Sequence, residues 1–229
     1  MKLLLMGCEY AGTTTLAYGI KDWALQSLGI DIRLIHDHFK IPDTAPHGEP
    51  LTREDIEGFQ ALTPRMIEVI QRHNIYYHTP GEKSSGDGIT VGLHFDEMVY
   101  GPLYWGYGRK GMIGDRAVIA KHIEHSIMQW APDTVLVHVD ASPRVIAARM
   151  KSDPHPYPVV QKKDIEYVLQ RFEEEAFASL LGHRITINTS TFTVDESLAE
   201  LTEKLYPLLT ESDRSRMIMH QGSQHGSLA

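Results

Sequence analysis

Along the chain, short apolar runs of β character alternate with longer stretches whose apolar residues recur every three to four positions. That alternation predicts a parallel sheet with helices packed on it. Lys2 to Met6 reads as a buried strand. Thr13 to Leu28 follows as a helix, with Leu16, Ile20, Trp23, Ala24 and Leu28 on its inner side and Gly29 as its stop. Asp31 to Phe39 reads as a second strand, and 42–50 as a loop holding three prolines. Thr52 is placed to cap a helix over 53–60, and Pro64 to open another through His73. A turn-rich stretch from Thr79 to Gly88 leads into a third strand, Ile89 to Phe95, with Asp96 and Glu97 at its end.

Gly101 to Gly114 carries five glycines and a proline among bulky aromatics, and reads as an ordered loop beside a site. Arg116 to Trp130 is predicted helical and Thr134 to Asp140 a strongly apolar strand. Ser142 caps a helix that starts at Pro143 and runs to about Lys151. Three prolines within Asp153 to Pro158 require a loop. A long helix over Lys163 to Leu181, a fifth strand over Arg184 to Asn188 and a last helix over Val194 to Leu209 complete the pattern. The fold class is therefore α/β: one three-layer α/β/α domain over residues 1–210 with a mainly parallel five-stranded sheet. Residues 211–229 are polar and lack sustained apolar periodicity, so a flexible C-terminal tail is expected there.

Composition narrows the function. The 229 residues suffice for a substantial core. Lys and Arg total 22 against 30 for Asp and Glu, a net charge of -8 that opposes sequence-independent binding to nucleic acid. The apolar run Leu3 to Met6 is too short for a membrane span, and Cys8 is the one cysteine, so no intrachain disulfide forms. No nucleic-acid or membrane partner is expected, and a cytoplasmic location fits best.

The candidate chemistry begins at Gly7-Cys8-Glu9-Tyr10-Ala11-Gly12-Thr13-Thr14-Thr15, which joins the first strand to the first helix. A glycine-rich loop at such a junction can wrap backbone N–H groups around a phosphate, with the positive end of the helix beneath it. The spacing is that of the phosphate loop G-x-x-x-x-G-K followed by Ser or Thr. Gly7, Gly12 and Thr14 are in place, and Thr13 stands where the lysine belongs. An ordinary strand-to-helix turn with a glycine at each end is the competing reading.

On these residues the chain resembles the P-loop nucleoside and nucleotide kinases, including the thymidylate kinase and deoxynucleoside kinase relatives. The resemblance spans about residues 1–210, mostly as order of elements. Phe95-Asp96-Glu97, the pair Asp115-Arg116 and the group Arg144, Arg149 and Lys151 support it. It implies ATP and Mg²⁺ as cofactors on Gly7 to Thr15, with Thr14 and Asp96 at the metal and a small-molecule phosphate acceptor. It further implies Asp96 and Glu97 as catalytic carboxylates, a lid over about 144–163 with Arg144 and Arg149 at the transferred phosphoryl group, and a homodimer.

Asp37, at a predicted strand end, is a further acceptor-site candidate, as are Arg109 and Arg116. Tyr100 and Tyr104 either stack on a base or sugar or anchor the glycine-rich loop. The pairs His36/His38 and His122/His125 lack a third ligand at a recognised metal spacing. Thr13 is a chemical departure, because a neutral hydroxyl does not replace a cation aimed at the β- and γ-phosphates. Either another cation, such as Arg109, Lys110, Arg144 or Arg149, takes its place, or the protein binds nucleotide without turning it over well. A domain whose glycine turn binds some other anion is the third possibility.

Overall fold

The computed structural model describes residues 1–36, 52–82, 86–112 and 114–226. Five strands, β1 (Lys2–Met6), β2 (Arg33–His36), β3 (Gly88–Val91), β4 (Val135–Asp140) and β5 (His183–Asn188), form one sheet in the order β2-β3-β1-β4-β5. Every adjacent pair is parallel. Both faces of β1 are covered, which is why Leu3, Leu4, Leu5 and Met6 are all apolar and all buried. With β3 on one side and β4 on the other, the loop leaving the C-terminal end of β1 opens at the middle of the sheet edge where α/β folds place ligands.

The helices are α1 (Thr13–Leu28), α2 (Arg53–Gln60), α3 (Pro64–His78), α4 (His94–Tyr100), α5 (Arg116–Trp130), α6 (Pro143–Ser152), α7 (Ile165–Ala178), α8 (Val194–Leu205) and α9 (Glu211–Gly226). α1 packs with α8 and α9, while α4 packs with α5 and α7 and α7 also packs with α6 and β4; the sheet lies between the two layers. α1 has the predicted bounds, buries Leu16, Ile20, Ala24 and Leu28, and stops at Gly29, whose φ of 65° suits glycine. The Thr52 cap is a full capping box with Asp55. α3 runs beyond His73 to His78.

Three expectations are corrected. The third strand ends at Val91, and Asp96 and Glu97 lie in the first turn of α4 instead of at a strand end. Gly92 at φ 88° and Leu93 at φ 47° turn the chain there, after which Phe95 and Val99 are buried at helical spacing. The glycine-rich stretch is not a simple loop: Gly101–Trp105 is a π-helical turn continuing α4, and positive φ at Gly106, Gly108, Gly111 and Gly114 bends the chain on its way to α5. Residues 211–226 form α9 and not a flexible tail.

Polar contacts dock α9. Thr210 and Asp213 cap it reciprocally, and Asp213 and Met217 are buried. Arg216 forks onto Asp87 at 2.6 and 2.9 Å and also bonds Asp213. The Met1 amino group bonds Asp213 at 3.1 Å and also pairs with Asp87. No helix among the described residues is long and apolar enough to cross a membrane.

Candidate phosphate-binding site

Gly7 follows β1 so closely against β4 that a Cβ there would lie 2.2 Å from the Val139 carbonyl oxygen. Only glycine lets the loop pass. The chain then turns through Tyr10 at φ 70° and Gly12 at φ 102°, and α1 begins at Thr13. No side chain caps that helix, and its first turn has no acidic residue. Its leading N–H groups thus open onto a cavity of about 330 Å³ that the loop lines from Gly7 to Thr15 apart from Cys8. Cys8 is fully buried, and burial pushes its thiol pKa well up, so it is an inert packing residue.

Two outer segments hold the loop. From α4, the Tyr100 hydroxyl accepts the Glu9 N–H at 2.9 Å. From the segment after α6, His155 Nδ1 lies 2.7 Å from Glu9 Oε1, and the N–H groups of Val159 and Val160 donate to Glu9 Oε2 at 2.8 and 2.9 Å. The Tyr10 ring stacks on His155 with centroids 4.1 Å apart, and its hydroxyl accepts the His155 N–H at 3.0 Å. Arg149 of α6 reaches the same loop: Nη1 donates to the carbonyls of Tyr10 at 2.9 Å and Ala11 at 3.1 Å, and to Thr189 Oγ1 at 3.0 Å. Nη2 donates to the Thr189 carbonyl at 2.9 Å.

Asp96, half-buried, lines the cavity near Val91 and Tyr100. Phe192 and Val194, both exposed, also line it, as does Thr189. Among the described residues its wall carries the carboxylates of Glu9, Asp96 and Asp153, the guanidinium of Arg149 and the imidazole of His155.

Of the residues predicted for the site, the structure brings the loop, Asp96, Tyr100 and Arg149 together. Tyr100 is buried, its hydroxyl is occupied by Glu9, and burial pushes its pKa up; it anchors the loop and offers no free face for stacking. The Tyr104 hydroxyl accepts the Gln161 N–H and bonds Asp164, so it braces the segment leading into α7; burial first, then Asp164, raise its pKa to about 12.

Glu97 and Arg116 are corrected to structural roles. They form a buried pair with Nε 2.7 Å from Oε2, joined by Glu68 and the Tyr107 hydroxyl, outside the cavity wall. Arg109 donates to the Pro102 carbonyl and, with Lys110, lines a separate groove. Arg144 is exposed on the first turn of α6 and does not line the cavity. Asp37 and His38 lie outside the described residues. The sequence does not single out Thr189 or His155; the position of Thr189 just past the end of β5, on the edge that holds Gly7, is the signal that points to it.

Solved structures of similar shape include deoxyadenosine kinase from M. mycoides, with a TM-score of 0.59 and 11% identity over 91% of this chain and 100% of that one. The same enzyme with bound dATP gives 0.54 and 12% over 90% and 99%. Thymidylate kinase from Ehrlichia chaffeensis gives 0.50 and 13% over 89% and 97%. No protein-family model and no curated protein sequence matches the chain. The chain has the P-loop nucleoside/nucleotide kinase-like fold.

Proposed function

We propose that this protein is a nucleotide-dependent phosphotransferase that binds ATP at the Gly7 to Thr15 loop and phosphorylates a small acceptor. The observation that carries the reading is the uncapped start of α1, whose N–H groups face a cavity through a turn that Val139 restricts to glycine at position 7. A phosphate at that point meets backbone donors and the positive end of the helix dipole. Phe192 and Val194, exposed on the cavity wall, give the apolar surface a nucleobase needs.

Asp96, the half-buried carboxylate of the cavity wall, is then the acceptor-side residue. Transfer forms a bond from the acceptor oxygen to the γ-phosphorus and breaks the bond from that phosphorus to the bridging oxygen, releasing ADP. Asp96 takes the proton of an acceptor hydroxyl and aligns its oxygen. Thr14 and Asp96 line the same cavity, and one or two such oxygens suit Mg²⁺ carried in with a nucleotide, although the described residues hold no cluster of three or more His, Cys, Asp or Glu. The ion would neutralise phosphate charge there. The lid over 144–163 closes the site from above, and a cytoplasmic homodimer is the expected form.

A specific observation also favours a nucleotide binder with weak transfer: Thr13 brings no charge to the loop, and three carboxylates line the cavity. Thermal unfolding with and without nucleotide and MgCl2 tests the shared part. Stabilisation by at least one common nucleoside triphosphate is expected, and no shift with any of them contradicts both readings. An acceptor-panel assay then separates them.

A further inference from the structure

We infer that the groove between α4, the start of α5 and α7 is a second binding site, and that it takes a small organic anion with an apolar body ending in a carboxylate or phosphate. The groove has a volume of about 480 Å³, within the range of about 300 to 1,000 Å³ usual for small-molecule sites. No residue lines both this groove and the cavity at the phosphate loop, so the inference stands apart from the nucleotide reading.

Charge sets the sign of the ligand. The chain carries a net charge of -8, yet Arg109, Lys110, Arg116 and Arg171 line the groove against two carboxylates, Asp115 and Glu175. Arg116 is taken up by buried Glu97 and Glu68, and Arg171 pairs with Glu174 and Glu175. Arg109 and Lys110 are exposed, and among the described residues neither pairs with a carboxylate. Arg109 makes one long bond, 3.4 Å to the Pro102 carbonyl. The Asp115 oxygens are engaged by the backbone, accepting from Gly111 N at 2.7 Å and Ala117 N at 3.0 Å. The groove is therefore opposite in sign to the phosphate-loop cavity, where three carboxylates line the wall with one arginine. An anion in it meets two charged donors that the fold leaves unmatched.

Apolar groups set the body of the ligand. Met98 and Val99 of α4 and Pro102 and Leu103 of the π-helical turn line the groove, with the exposed Tyr167 ring of α7 beside them. Phosphate alone would leave that surface uncovered. The backbone carrying the two cations is already ordered: Arg116 N donates to the Gly108 carbonyl and Met112 N to the Arg109 carbonyl, both at 3.1 Å. A Cβ on Gly108 would lie 2.6 Å from Arg116 Cγ, so the segment is pinned against the buried arginine. Binding then has little backbone left to order.

The methyl resonance of Met98, in protein labelled at the methionine methyls and assigned through Met98→Leu, reads occupancy of the groove. Titration with phenyl phosphate is expected to shift it saturably. Inorganic phosphate and phenol, each keeping one half of that ligand, bind more weakly by about 10-fold or more. Arg109→Gln combined with Lys110→Gln weakens phenyl phosphate by about 10-fold or more, and an unchanged melting temperature shows that the variant is folded. No shift at Met98 overturns the inference. A shift that persists undiminished in the double variant also overturns it, because the ligand is then held without the two cations. Inorganic phosphate binding as tightly as phenyl phosphate overturns it as well, because the apolar surface then plays no part.

Discussion

Arg116 Nε at the start of α5 lies 2.7 Å from Glu97 Oε2 of α4, and both side chains are closed to solvent. Arg116 Nη1 also bonds Glu68 Oε1 at 2.9 Å, its guanidinium carbon sits 4.9 Å from the centre of the Tyr107 ring, and the Tyr107 hydroxyl donates to Glu97. One cation thus satisfies two buried carboxylates and ties α3, α4 and α5 behind the cavity. Arg116→Met removes the guanidinium that pairs with buried Glu97, while Glu68 keeps its pair with Arg72 at 3.2 Å, and a loss of about 3 to 5 kcal/mol is expected for breaking the buried pair. Denaturant unfolding measures it. A catalytic Glu97 would instead make Glu97→Gln an inactive protein of unchanged stability.

The Glu9 carboxylate does for the segment after α6 what Arg116 does for the core. It accepts from Val159 N and Val160 N and lies within hydrogen-bond distance of His155 Nδ1, joining the glycine-rich loop to the segment after α6. Glu9→Ala removes all three bonds at once. Amide hydrogen exchange at Val159 and Val160 is expected to rise by about 10-fold or more, given the strength of hydrogen bonds to a charged group. Unchanged protection at those two amides would mean that something other than Glu9 holds this segment.

α9 is predicted to be acid-sensitive. For Asp87, burial works upward but is outweighed by Arg216 and the Met1 amino group, and its carboxyl stays below the usual range. For Asp213, burial is likewise outweighed, by Thr210 and the same amino group. A carboxyl depressed in the folded state contributes stability above its unfolded value of about 3.9, and that contribution is lost as pH falls through the lower folded value. Melting at pH 6 and at pH 3 should therefore show a larger drop for the natural protein than for Asp87→Asn with Asp213→Asn. Equal drops would locate the acid sensitivity elsewhere.

Much of this molecule is legible in the sequence where its causes are local. The apolar run of β1, the two glycines of the loop and the period of α1 give the first 29 residues almost to the residue. The β3–α4 junction is not legible, because Ile89, Val91, Leu93 and Phe95 keep the alternation of a strand through it and the turn is made by the backbone at Gly92 and Leu93. α9 is held by ion pairs to Asp87 and Met1, far away in sequence, so no apolar stripe announces it. Glu97 and Arg116 read in the sequence as site residues, and only the fold shows them buried against each other. Arg149 is a candidate from its charge alone; its direction, toward Tyr10, Ala11 and Thr189, comes from the structure.

Transfer of the γ-phosphoryl group of ATP to a panel of nucleosides, nucleoside monophosphates and small polyols tests the central claim most directly, with the natural protein beside Asp96→Asn. The account predicts transfer to at least one acceptor, falling by about 10² to 10⁴ in the variant, the range typical of losing a positioned general base. No transfer by a natural protein that binds ATP, or transfer undiminished in Asp96→Asn, would contradict it.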